Sequence, residues 1–271
     1  MLSKSWYPIT KRPIEILEAS DANFFQMCFG TNSKTVRDAY YLETGKLKIR
    51  HAIAKRRMLY LHTVLNRGEQ DLVKKVYLAQ KLVPARHDWA NLVKKDKEIY
   101  EVDLSDDEIA EMSKNKYKKY IEVQVNKRSF EELMSSKKSK VSRIVESIDK
   151  TKVREYKLPI QEYLKTNDLS KEMKIVLFSL RSREYDLKVN YKSMYENNMQ
   201  CRICQKEDSI EDEEHTFFQC ESLIDIGDID RNHKVDHIFG DLKQQLSVMQ
   251  HIMEVTRKRN IIINLHNINQ S

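Results

Sequence analysis

Between residues 201 and 220 the chain reads CRICQKEDSIEDEEHTFFQC, and this stretch constrains the fold of everything around it. Its candidate ligands fall as Cys201-x2-Cys204-x10-His215-x4-Cys220. Three thiolates and one imidazole are a closed set of the kind a structural Zn²⁺ takes, with no position left for an activated water. The C-x2-C pair lets two sulfurs from one tight loop reach one ion. The H-x4-C pair lets His215 and Cys220 meet it from one short helical turn or loop. The insert between the pairs, Gln205 to Glu214, is polar and acidic, as a solvated loop should be. Only one further cysteine, Cys28, occurs in 271 residues, so chance spacing is the weaker reading. His233 and His237, after Cys220, are alternatives to His215 as fourth ligand. The expected cofactor is one Zn²⁺ that holds a fold and does no chemistry.

The rest of the chain is poor in the residues that turn a backbone sharply. Five glycines and four prolines in 271 residues argue against hairpins, barrels and Gly-rich phosphate loops, and for long helices. The expected fold is all-α: a helical array, then a small Cys3His zinc-knuckle module, then a C-terminal helix. The divisions expected along the chain are 1–148 (a helical region), 149–226 (helices plus the zinc module) and 227–271 (loop and last helix). Lys and Arg exceed Asp and Glu by 48 − 41 = 7, which points to an anionic partner, RNA and/or DNA. Three of four cysteines lie in the metal pattern, which fits a reducing compartment better than a disulfide framework. The N-terminus has no apolar signal core and no apolar run is long enough to span a bilayer. The expectation is an intracellular chain, nuclear or cytoplasmic, with no membrane partner.

Helical periodicity then places the segments. Pro13 suits the first turn of a helix closed by Gly30, with Ile14, Leu17, Phe24, Phe25 and Cys28 on its buried face. Lys46–Arg67 carries two apolar arcs, Ile49/Ala52/Ile53/Leu59/Tyr60 and Leu47/Met58/Leu61/Leu65, as a helix sandwiched between neighbours would. Lys46, Arg50 and Arg57 share one sector of that helix, where they could track a phosphate backbone or form a solvated basic face. Arg56 projects into the first apolar arc, so its guanidinium needs a buried acid or carbonyls. Leu72, Val76, Ala79 and Val83 form an inward stripe on the next helix. The pair Asp106-Asp107 could bind a catalytic cation, but Ser105 with Glu108 reads as a capping box that explains both acids. Residues 117–148 form a long Lys-rich helical region with Ser-Ser-Lys-Lys-Ser at 135–139; few large apolar residues follow Met134, so the part from there on reads as a hinge or mobile linker. Residues 151–166 read as an amphipathic helix interrupted at Pro159. Met173, Val176, Leu177 and Leu180 stripe a helix over 170–183. Arg181, Arg183 and Lys188 follow it as a candidate nucleic-acid surface. Tyr185, Tyr191, Tyr195, Phe217 and Phe218 suit core packing around the metal loop better than base stacking. The last helix runs from Leu242 to Arg259, followed by a tail from Ile261.

Three stretches carry a resemblance. YYLETG at 40–45 and RRMLYLH at 56–62, within the stretch from Ser33 to Leu65, are similar to recurrent patterns of non-LTR (LINE-type) retrotransposon reverse transcriptases. LFSLRSR at 177–183 is similar to the run that precedes that family's zinc module. The Cys-Cys-His-Cys set itself, followed by DHIFGDLKQQLSVM at 236–249, resembles the module and last helix of the family. Together these cover most of the chain, in family order. The resemblance implies the region after the polymerase palm: thumb-like helices, a linker, then the zinc-binding module that helps hold template RNA and target DNA. It carries over Cys201, Cys204, His215 and Cys220 as zinc ligands. It carries over no catalytic residue, because the chain contains neither a Tyr-x-Asp-Asp motif nor a visible endonuclease domain. The implied role is therefore non-catalytic: binding RNA/DNA and zinc in support of target-primed reverse transcription. The alternatives are an interaction domain docking a reverse transcriptase palm in trans, and a retroelement relic without function.

Overall fold

A computed structural model describes residues 11–31, 35–85, 88–195, 198–224 and 234–268. The regular structure among them is helical, apart from two isolated antiparallel bridges, Arg154–Lys157 and Gln200–Ile210. The eleven α-helices are α1 (Lys11–Phe29), α2 (Arg37–Thr44), α3 (Ile49–Leu65), α4 (Leu72–Leu82), α5 (Trp89–Ile99), α6 (Asp106–Glu111), α7 (Lys114–Met134), α8 (Ser142–Ser147), α9 (Glu162–Lys165), α10 (Lys171–Arg181) and α11 (Leu242–Ile268). Among the described residues, no helix is long and apolar enough to cross a membrane. The chain divides into two compact units, neither continuous in sequence. The first holds α1 up to Phe24, Thr44–Ser136 and Asp149–Pro159; the second holds Phe25–Glu43, Lys137–Ile148 and the chain from Ile160 onward.

In the first unit α3 is central and packs on α4, α5, α6 and α7, as its two apolar arcs imply. Of those arcs, Met58, Leu61 and Leu65 are the buried one; with Ala54 and Val64 they meet Val93, Ile109, Tyr117, Ile121 and Val125. Emptying one such site, as in Leu61→Ala, costs about 2–5 kcal/mol. Ser105 and Glu108 close the capping box in both directions at the start of α6, which explains Asp106 and Asp107 without a cation. The stripe expected to face inward on α4 does the reverse. Leu72 is 74% exposed, Val76 46% and Val83 79%, and Tyr77 is the one buried residue of the helix. Tyr77 packs edge-on to Trp89 and donates to Asp106 at 2.8 Å, so one aromatic ring fastens α4 and the aliphatic face stays outside. The helix expected over 151–166 is also absent. Pro159 disfavours helical backbone at Leu158, and the segment forms a 3-10 turn at Lys150–Lys152, a tight turn at 154–157 and the short α9. Gly45 has φ +63°, and a Cβ there would sit 2.3 Å from the Leu158 carbonyl oxygen. No other residue fits that close approach.

In the second unit, α1, α2 and α10 join through stacked rings: Phe29 lies 4.1 Å from Phe178, and Tyr40 lies 5.5 Å from it. Phe25 stacks on Tyr40, so α1 turns Phe25 and Phe29 inward. Phe24 and Cys28, expected on the buried face, are exposed. The expected hinge is likewise part of the core from residue 141 onward. Val141, Ile144 and Ile148 are buried at helical spacing around α8, enough apolar side chains to anchor the segment. Val176, Leu177 and Leu180 of α10 form the expected stripe and share one core with Val248, Met249, Ile252 and Met253 of α11. That helix runs on past Arg259 through Ile268, because Ile262 and Ile263 still pack on the same core.

Candidate metal centre

Two short devices bring the four side chains of the module together. The first is a knuckle around the Gln200–Ile210 bridge, where the Cys201 amide donates to the Ser209 carbonyl at 2.9 Å and the Glu211 amide to the Met199 carbonyl at 2.8 Å. The chain closes it with Gln205 at φ +51°, whose amide donates back to the Cys201 carbonyl. This carries Cys201 and Cys204 onto one side of a tight loop. The second device is a single wide helical turn, His215–Gln219. The Asp212 carboxylate accepts from the His215 amide at 2.8 Å and starts that turn. The Cys220 amide donates to the His215 carbonyl at 2.7 Å and ends it.

The result is a Cys3His group, Cys201, Cys204, His215 and Cys220, whose ligand atoms all lie within 4.8 Å of one another. Cys204 Sγ and His215 Nε2 are 3.3 Å apart. A tetrahedral ion with bonds of about 2.3 Å to sulfur needs donor separations of about 3.8 Å, so the donors fit one four-coordinate ion. The closed set of four is His215's, not His237's; His233 lies outside the described residues. Cys201 and Cys220 are buried and Cys204 is partly so. Without an ion, the hydrogen bond from the Cys220 thiol, helped by the Cys204 and Ile203 amides, pushes Cys201 down to about 5. Donating that bond, together with burial, pushes Cys220 up. This bond favours the thiolate form of Cys201, the form a metal ligand takes. The module is seated on α11: the His251 ring bonds the Phe217 carbonyl and stacks on Phe218 with centroids 5.6 Å apart.

A buried ion cluster under the knuckle was not foreseen. Glu211, within the insert expected to be solvated, has no exposed surface. Burial pushes its carboxyl up, but hydrogen bonds from Arg202 and Arg259 outweigh this and hold it below the usual carboxylate range. Arg202 reaches it at 2.7 Å and Arg259, from α11, at 2.8 Å. Arg202, inside C-R-x-C, is the only local sign of this pairing. Arg259 lies 48 residues beyond Glu211, and nothing in the sequence announces it.

The candidate nucleic-acid residues separate into two groups. Arg181 is 1% exposed and pairs with Glu43 at 2.9 Å, while donating to the Ile238 carbonyl and to Ser147. It is a core residue, not a surface cation. Lys188 is also buried, with its ammonium 3.4 Å from Asn198 and over the Tyr195 ring. Arg57 is bidentate to Asp96 at 2.6 and 2.8 Å, with little of either side chain exposed. Burial nevertheless keeps the Asp96 carboxyl above its ordinary value. Arg57 therefore fills the role expected of Arg56, which is exposed. Arg50 is exposed and bound to Glu18 at 2.7 Å, Lys46 is exposed with its ammonium over the Phe24 ring, and Arg183 is half-buried. Of the aromatic residues near the module, Tyr185, Phe217 and Phe218 are core, as expected.

No protein-family model, curated protein or solved structure matches this chain.

Proposed function

We propose that this chain is a zinc-stapled, non-catalytic helical module that binds RNA or DNA. In this reading it serves as the C-terminal region of a non-LTR reverse transcriptase does in target-primed reverse transcription. The observation that carries the reading is the closed Cys3His donor set, clustered within 4.8 Å and built into the core of the second unit. Its donors suit Zn²⁺ in a structural role, because all four positions come from protein. The resembling stretches also share a structural reason: Glu43 of YYLETG and Arg181 of LFSLRSR form one buried ion pair. The excess of 7 positive charges favours a polyanionic partner.

The test is binding of single-stranded RNA and duplex DNA by the zinc-loaded chain across a salt series. The reading expects measurable affinity at about 50 mM salt that falls linearly on a log–log plot as salt rises. No binding at about 50 mM, where electrostatic attraction is strongest, removes the nucleic-acid half of the reading.

A second reading, a docking domain for a polymerase palm supplied in trans, is favoured by the exposed aliphatic face of α4, where Leu82 is 83% exposed. It expects Leu72→Lys with Leu82→Lys to weaken association with such a subunit by about ten-fold or more, without changing RNA binding.

A further inference from the structure

The turn Arg154-Glu155-Tyr156-Lys157 lies in the first unit, far in sequence from the metal centre. Glu155 has φ +49° and Tyr156 φ +59°, and the Lys157 amide donates to the Arg154 carbonyl at 2.9 Å. Two successive left-handed residues closed by this bond make a type I′ turn, a geometry that favours Asn-Gly. Here the sequence places a glutamate and a bulky aromatic in the strained positions. An exposed ion pair with Lys119 and a tilted contact with Phe130 offset little of that cost, and such strain persists where side chains have another use. All four residues are exposed, Tyr156 by 43%.

The surroundings say what the use is. Tyr156 lies beside Phe130 of α7, ring centroids 6.1 Å apart, and both line a shallow cleft with Lys46, Asn126 and Lys157. Lys119 pairs with Glu155 at 3.0 Å, and Lys55 with Glu122 at 2.7 Å. Lys118 and Lys157 also act on Glu122 through their charge. Lys46 and Lys157 thus line the cleft beside the two rings, Arg154 sits in the turn, and Lys127, paired with Glu101, lies within electrostatic reach of Tyr156 and Glu131. An acidic peptide would answer the charge but has no use for an exposed ring held at a strained backbone position. A single strand answers both, with phosphates for the cations and unpaired base faces for the ring. A duplex keeps its bases stacked inside and cannot offer them.

We propose that the 154–157 turn is a contact site for single-stranded nucleic acid, with Tyr156 stacking on a base and Arg154 and Lys157 meeting phosphates. The proposal rests on the nucleic-acid reading above and adds the surface and the strandedness.

The experiment uses the full zinc-loaded chain and a fluorescein-labelled mixed-sequence single-stranded RNA, with an RNA hairpin of equal length as competitor. Glu155→Asn with Tyr156→Gly supplies the turn's preferred residues and removes the ring. It should raise Tm by about 2–4 °C and, through loss of the ring, weaken binding by about 5- to 100-fold, with a salt slope no smaller than the native chain's because Glu155→Asn also frees Lys119. Arg154→Gln with Lys157→Gln should reduce that slope by about 1.4, from about 0.7 per phosphate contact on a single strand. Lys94→Gln with Lys95→Gln, an equal charge loss on exposed α5 positions, should stay within about two-fold. The hairpin should compete at least about ten-fold less well than the single strand. If the native chain binds but the turn variants bind as it does, or lose no more than the α5 control, this site is overturned and the broader reading stands. If the native chain binds neither strand form at about 50 mM salt, the broader reading falls and takes this site with it.

Discussion

The two units use the same residue types for opposite purposes. In the first, most charges on and next to α3 are answered toward its edges, where Lys48 and Arg50 share Glu132 and Lys55 takes Glu122, and one pair, Arg57 with Asp96, is largely buried. The centre of that unit is aliphatic and aromatic packing. In the second, charges sit inside: Arg181 with Glu43, and Glu211 with Arg202 and Arg259, beside a metal-ligand set. A helical core that buries enough apolar area needs only peripheral ion pairs, which contribute little each. The second unit has an ample apolar core as well, but the knuckle seated on it has a polar middle, held by a set of potential metal ligands and by desolvated pairs, which tolerate no missing partner. The difference is between a unit with one largely buried pair and a unit with two buried ionic clusters and a metal-ligand set.

The largest expected effect separates the two directly. Stripping metal with a chelator should abolish amide protection in residues 198–224 and in α11, since such sites carry about 10–16 kcal/mol of apparent binding energy in small zinc modules. Protection of α3 and α7 should persist, read by hydrogen exchange with and without chelator. Equal loss in both units would break the comparison. Next, Arg181→Ala leaves the Glu43 carboxylate buried and unpaired, and should cost about 3–5 kcal/mol in denaturant unfolding. The double variant Arg181→Met with Glu43→Leu should recover most of that loss. In the first unit, Arg57→Ala should cost about 1–3 kcal/mol by stranding Asp96, whereas Arg56→Ala should stay within about 0.5 kcal/mol. The smallest effect is a pH dependence. Contact with His51, and then Lys48, holds the Glu132 carboxyl well below the usual carboxylate range. A depressed folded pKa stabilises fully above the unfolded value, about 4.3, and is lost as pH falls from there. Protection of α3 and α7 should therefore weaken below about pH 4, and Glu132→Gln should flatten that dependence.

What could be read from the sequence was what is local. The ligand spacing, the Ser105–Glu108 box and the stripe on α10 each involve residues within one turn or loop of each other, and all stand in the structure. The misses share a cause. Phe24 and Phe25 are adjacent, as are Arg56 and Arg57, and a step of about 100° decides which one faces in. Only the partners, Tyr40 and Asp96, make that choice. Arg181 looked like a surface cation because Glu43 lies 138 residues away in sequence. The aliphatic stripe of α4 has helical periodicity but no neighbour to bury it, and periodicity alone cannot supply one. At the site itself, the four ligands were legible, while the Arg259–Glu211–Arg202 cluster beneath them was not.

The most direct test is metal content of the purified chain beside its Cys201→Ser variant. The account predicts one zinc per native chain, and in the variant loss of the zinc together with protection in the second unit. A native chain that binds no zinc, or a variant that keeps both its zinc and its fold, would contradict a metal-stapled unit.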